Sequence, residues 1–205
     1  KFKDRSAEFK KGFTGTAPIP YTILAGTYLV DCEPKIFFEW KREDEKFIQL
    51  STKKKANFPE LKIKEMDNPN VNAESIIVAI STTRRIKKHQ LKDFGEQDII
   101  EIYLDDCKDN NITYIKQLQN YRKVILDELE ALGRKNYPHL NQINLVASIP
   151  SCMSLEIGRM IAQNNNRVKK IVAYHFVNQG TKLYPFGIAV TESQGQYKKG
   201  ELIQN

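Results

Sequence analysis

Two short apolar runs dominate the hydrophobic pattern of this chain: Ser75-Ile-Ile-Val-Ala-Ile-Ser, and Leu145-Val-Ala-Ser-Ile after Asn144. Neither alternates with polar residues, so each reads as a strand buried on both faces, as in a parallel sheet covered by helices. Residues 98–104, 168–176 and 182–190 add three further strands, the last two joined through Asn178-Gln-Gly. Helical spacing takes over between them. Ile115, Leu118, Ile125, Leu129 and Leu132 form one inward stripe over 111–133, with Gly133 as its natural C-cap. Met153, Ile157, Met160 and Ile161 repeat the pattern after Ser151, where Gly158 lets a helix lie close to the sheet.

Before residue 75 the pattern is weaker. Gly12, Gly15, Pro18 and Pro20 punctuate the first thirty residues, with short strand candidates at 21–25 and 27–30. Residues 36–40 and 47–50 flank a charged stretch and predict an antiparallel hairpin. Residues 51–73 read as a polar loop with one short helix, and 84–94 as a short amphipathic segment. Strands alternating with helices predict an α/β fold, with a mixed, mostly parallel, Rossmann-like sheet and an antiparallel edge.

Both long apolar runs end in the same manner. Val78-Ala-Ile-Ser-Thr-Thr and Val146-Ala-Ser-Ile-Pro-Ser each carry a central Ala and then hydroxyl residues, about 70 residues apart, which hints at a duplicated strand–helix unit. At the second, Pro150 stops the strand and Ser151 is the expected helix cap. A helix N-terminus beyond the carboxyl edge of an open sheet favours an anion, through free N–H groups and the helix dipole.

The 32 Lys+Arg against 25 Asp+Glu give a formal net charge of +7, which suits an anionic partner. The basic clusters at 53–55, 84–88, 169–170 and 198–199 are dispersed, so no nucleic-acid-binding arm forms and no stable DNA binding is expected. Cys32, Cys107 and Cys152 are odd in number and far apart, without a Cys-x-x-Cys pair, which fits a reducing cytosol. No run approaches the roughly 20 apolar residues of a membrane span. The chain begins at Lys1 rather than Met, so a fragment of something longer is expected. A cytoplasmic domain of a membrane-anchored effector fits as well as a free cytoplasmic protein.

Catalytic patterns are missing. There is no Gly-x-Ser-x-Gly elbow, no Gly-x-x-x-x-Gly-Lys-Ser/Thr loop and no Gly-x-Gly-x-x-Gly fingerprint. Cys152 reads as a small buried residue, and Asp105-Asp106 as turn and capping residues without a second acidic cluster to complete a metal site. What remains is binding. Two hydroxyl-rich strand ends, one continuing into Arg84 and Arg85, are placed to hold phosphates while Trp40, Phe38, Tyr174 or Tyr184 stacks on a base.

The residues from Asn144 to Ile161, with Ile157-Gly158-Arg159 in the helix and Tyr174 in the strand beyond, resemble the C-terminal signature of SAVED domains. Residues 75–83 resemble the earlier strand and hydroxyl loop of that family, so the likeness covers about 75–190. It implies two fused CARF-like, Rossmann-related halves, at 31–140 and 141–205, after a lead-in or effector linker at 1–30. It also implies a sensor in bacterial anti-phage (CBASS) defence that binds a cyclic di-, tri- or tetranucleotide, associates head to tail and switches on a fused effector. No catalytic residue, metal or cofactor is expected. The ligand-binding residues it implies are Ser81, Thr82, Thr83 and Arg84 in one loop and Pro150, Ser151, Cys152 and Met153 in the other. Two alternatives stand beside it: a phosphodiesterase cleaving such ligands, with Ser148, Ser151 or Arg84 positioning the diester, and a general nucleic-acid-binding module.

Overall fold

The computed structural model of the chain describes residues 11–32, 34–53, 57–164, 167–192 and 197–205. Residues 1–10 of the lead-in and Lys54-Lys55 of one basic cluster lie outside them.

Seven strands form the main sheet: β4 (Lys62–Lys64), β5 (Ser75–Ser81), β6 (Ile99–Tyr103), β7 (Gln142–Ser148), β8 (Lys170–His175), β9 (Phe186–Ala189) and β10 (Leu202–Gln204). A smaller sheet holds β1 (Gly12–Phe13), β2 (Ile36–Lys41) and β3 (Lys46–Gln49). The helices are α1 (Ile19–Thr27), α2 (Ile115–Lys135) and α3 (Ser151–Gln163), with a 3-10 helix at Lys88–Phe94.

The main sheet runs β10-β9-β8-β7-β5-β6-β4. Its four central strands are parallel, and β4, β9 and β10 are antiparallel edges. This is the mixed, Rossmann-related α/β fold that the apolar pattern predicts. The segments 31–140 and 141–205 meet inside this one sheet, because β5 and β7 pair along their whole length from Ser75 with Gln142 to Ser81 with Ser148. The chain passes from β5 outward to β6, then returns over β5 to β7, so the strand order reverses between β5 and β7. Ligands of open α/β sheets settle outside the carboxyl ends of the strands at such a reversal.

Side-chain alternation explains why the strand patterns look uniformly apolar. Ile76, Val78 and Ile80 face the large core beneath α1, α2 and α3, whereas Ile77 and Ala79 face a second core with Leu91, Phe94, Tyr174 and Tyr184. Both faces of β5 are thus dry.

Several local expectations change. The strand candidates 21–25 and 27–30 are not strands, and Ile19–Thr27 is α1: Pro20 sits in the first turn, where a missing N–H and a fixed φ cost nothing, and that start signal outweighs the β-branched composition. The loop 51–73 contributes edge strand β4 rather than a helix. Helix α2 runs through Gly133 to Lys135 and is capped by Asn136. Gly158 brings α3 close to α1 rather than to the sheet, since a β-carbon there would meet the backbone of Ile23 and Gly26. The hairpin is as predicted, with Trp40 opposite Phe47.

Candidate functional site

The corner after β5 is tied to the corner after β7 by three hydrogen bonds. The amides of Thr82 and Thr83 donate to the Ser148 carbonyl at 3.0 and 2.9 Å, and the Arg84 amide donates to Ser148 Oγ at 3.1 Å. Ser81 Oγ accepts from the Ile86 amide at 3.0 Å, which folds residues 82–86 back over the strand end. The two corners therefore share one rim, side by side. Beyond the rim they diverge: the first corner leads into the 3-10 helix and the second into α3.

Beside this rim lies a cavity of about 800 Å³, toward the upper end of the roughly 300–1,000 Å³ usual for small-molecule sites. Thr83, Arg84, Pro150, Ser151, Trp40, Tyr174 and Tyr184 all line it. Ser81, Thr82, Cys152 and Met153 do not reach the wall; each is at most 2 % exposed and supports it from behind. For Cys152 burial, together with the neighbouring Glu39 carboxylate, pushes the thiol well above its ordinary value, the reverse of an activated nucleophile.

The amides behave differently from the sequence expectation. Pro150, not Ser151, is the N-cap of α3, and it offers no side-chain cap. The seat is filled by Glu39 from β2, whose carboxylate accepts from the Cys152 backbone amide, with the Ser151 amide and the Cys152 thiol close beside it. Burial raises the Glu39 carboxyl above its usual range while these donors pull it down. The Thr82, Thr83 and Arg84 amides are satisfied as well, on Ser148.

Arg42, Arg84 and Lys87 supply cations at the cavity wall, beside the imidazole of His89. The guanidiniums of Arg42 and Arg84 are exposed and meet no carboxylate among the described residues. Arg85 is held otherwise: its guanidinium lies 3.2 Å from the Tyr103 ring centroid and 2.5 Å from Glu101. The aromatic walls also divide. Tyr174 and Tyr184 are buried in a cluster around Phe94, at centroid distances of 4.7 and 5.6 Å, and burial raises both hydroxyls to about 12. Trp40 and Phe176 are 37 % and 40 % exposed and line the cavity, in edge contact with Phe47 and Tyr184. Phe38 is absent from the wall.

Sequence reasoning missed Glu39, Arg42, Lys87, His89, Phe176 and the start of α1 at Pro18–Pro20, which all line the cavity. Phe176 carried a signal as the aromatic end of a predicted strand, and Lys87 as part of the basic cluster 84–88. His89 comes from the 3-10 helix after β5, and Glu39, Arg42 and the start of α1 reach the site through the small sheet and α1, whose docking no local pattern reports. Asp105 and Asp106 are engaged by Lys62 and Lys108, and no cluster of three metal-ligating side chains occurs among the described residues. No described helix is long and apolar enough to cross a membrane.

The fold is thus a doubly wound α/β sheet with a cationic, aromatic-lined cavity at its reversal point, the place where open α/β sheets commonly receive ligands. The chain belongs to the SAVED family, the SMODS-associated sensor domain fused to various effectors, whose model matches residues 1–190. Among solved structures it is similar to the Cap4 SAVED/CARF-domain-containing receptor of Acinetobacter baumannii. The structure with the cyclic trinucleotide 2′3′3′-cAAA has a TM-score of 0.57 at 16 % identity, over 82 % of this chain and 36 % of the receptor. The structure with 3′3′3′-cAAA has a TM-score of 0.59 at 16 % identity, over 86 % and 38 %. The chain thus spans little more than a third of those receptors. No curated protein matches it.

Proposed function

We propose that this chain is a sensor that binds a cyclic di-, tri- or tetranucleotide in the cavity beside the Ser81–Ser148 rim and does not cleave it. The observation that carries this reading is the free, cationic side of an 800 Å³ cavity at the strand-order reversal of a SAVED-family fold. Arg84 and Arg42 engage phosphates, the hydroxyls of Thr83 and Ser151 add polar contacts, and Trp40 or Phe176 stacks on a base. The two Cap4 structures carry cyclic trinucleotides, which supports a ring-shaped polyanion as the ligand class.

Binding drives head-to-tail self-association, and association activates a fused effector in CBASS-type anti-phage defence in the cytoplasm. A ligand shared between protomers shifts that equilibrium by its differential affinity for the assembled state. Calorimetric titration with a panel of cyclic di-, tri- and tetranucleotides tests the reading. At least one member binds at micromolar concentration and is recovered intact by chromatography. Failure of the whole panel, or recovery of linear products, contradicts it.

A further inference from the structure

The start of α3 is the place where an open α/β sheet ordinarily receives phosphate, yet here a side chain of the protein already sits in it. The Cys152 amide is used on Glu39, with the Ser151 amide beside the same carboxylate, and Pro150 has neither a side-chain cap nor an N–H to offer. Glu39 also lines the cavity, on the strand that carries Trp40 and leads to Arg42. The neighbouring corner is equally spent, its Thr82, Thr83 and Arg84 amides being bound to Ser148. A ligand phosphate entering this cavity therefore meets a fixed carboxylate where donors would be, and elsewhere on the wall two guanidiniums that meet no carboxylate among the described residues.

We propose that Glu39 is a positioning residue of the ligand site: as a built-in occupant of the α3 anion seat, it bars the ligand's phosphates from that helix end and leaves them to Arg42 and Arg84. The inference rests on the sensor reading for the identity of the ligand, but the seat itself can be examined with inorganic pyrophosphate. Its specificity consequence is that the phosphates are held by side-chain charge and not by the helix amides. Compact anions lacking bases to stack on Trp40 or Phe176 are thereby disfavoured.

The test compares wild-type protein with Glu39→Gln, which keeps the size of the side chain but removes the charge, so that a phosphate meets no carboxylate and has only a weaker, neutral acceptor to displace from the Cys152 amide. Glu39→Asp, which retains the charge, serves as the second variant. Circular dichroism checks the fold of each. Calorimetry with inorganic pyrophosphate is expected to give at least tenfold tighter binding to Glu39→Gln than to wild type and no such gain for Glu39→Asp. Equal pyrophosphate affinity in wild type and folded Glu39→Gln overturns the proposal, whatever the nucleotide panel gives. If Glu39→Gln does not fold, a crystal structure of wild-type protein with a bound cyclic oligonucleotide decides. Phosphates on Arg42 or Arg84 with Glu39 still on the Cys152 amide support the proposal, and a phosphate on the Ser151 or Cys152 amide overturns it. Failure of every cyclic nucleotide to bind, with the pyrophosphate difference intact, removes the sensor reading and leaves the role of Glu39 standing.

Discussion

Gly26 of α1 faces Gly158 of α3 so closely that a β-carbon built on either would come within 3.1 Å of the other's Cα. On Gly158 it would also run into the Ile23 carbonyl, and on Gly26 into the Leu155 carbonyl. The crossing fixes α1, and the start of α1 at Ile19 and Pro20 forms part of the cavity wall. One backbone contact thus connects the Ile-Gly-Arg signature of α3 to the shape of the site.

Gly158→Ala is expected to destabilise the protein in spite of the helix-propensity gain of about 1 kcal/mol, because backbone atoms cannot yield as side-chain ends do. Forced separation of α1 and α3 costs about 1–3 kcal/mol beyond that gain. A urea unfolding midpoint below that of the wild type is the expected result.

The adjacent arginines Arg84 and Arg85 have separate work. Arg84→Ala removes an exposed cation with no ion pair among the described residues, so stability stays within about 0.5 kcal/mol while nucleotide affinity falls roughly tenfold to a hundredfold. Arg85→Ala strips the cover from Tyr103 and leaves Glu101 with only Lys64, at 3.8 Å, so it lowers thermal stability. Parallel calorimetry and thermal melts separate the two.

Glu156 is a buried anchor, held by Arg122 and, at 2.5 Å, by Arg159, whose Nε also donates to the Leu29 carbonyl at 3.2 Å. Glu156→Ala leaves the buried Arg159 charge uncompensated and is expected to cost about 3–5 kcal/mol, read as a drop in denaturant midpoint.

Tyr174 and Tyr184 set an alkaline limit on stability. Burial raises both hydroxyls from the usual 10 to about 12, with Tyr197 adding to the effect on Tyr174 and Asp93 to that on Tyr184. Because the folded values lie above the unfolded ones, their contribution is complete below pH 10 and is lost as pH rises from 10 through 12. The urea midpoint should fall between pH 9 and pH 11.5, and fall less in Tyr174→Phe and Tyr184→Phe.

The central strands were legible because a parallel strand dry on both faces leaves an unbroken apolar run, as at Ile76–Ile80. The pairing of Ser81 with Ser148 follows from sheet order, which the two similar strand ends hinted at without locating. Helix α1 was misread since Tyr21, Thr22 and Ile23 favour strands, while Pro20 in the first turn and the contact with Gly158 decide for helix. The site was half legible. Thr83, Arg84 and Ser151 were found from the strand-end pattern, but Glu39 and Arg42 arrive from a separate small sheet, and their proximity to α3 has no periodicity in the sequence.

The most direct measurement uses Trp40, the single tryptophan of the chain and a wall residue of the cavity. Its fluorescence is monitored while a cyclic oligonucleotide is added to wild-type protein and to Arg84→Ala. The account predicts a saturable change at micromolar ligand that shifts at least tenfold to higher concentration in the variant. Calorimetrically detected binding that leaves Trp40 fluorescence unchanged and is indifferent to Arg84→Ala would contradict it.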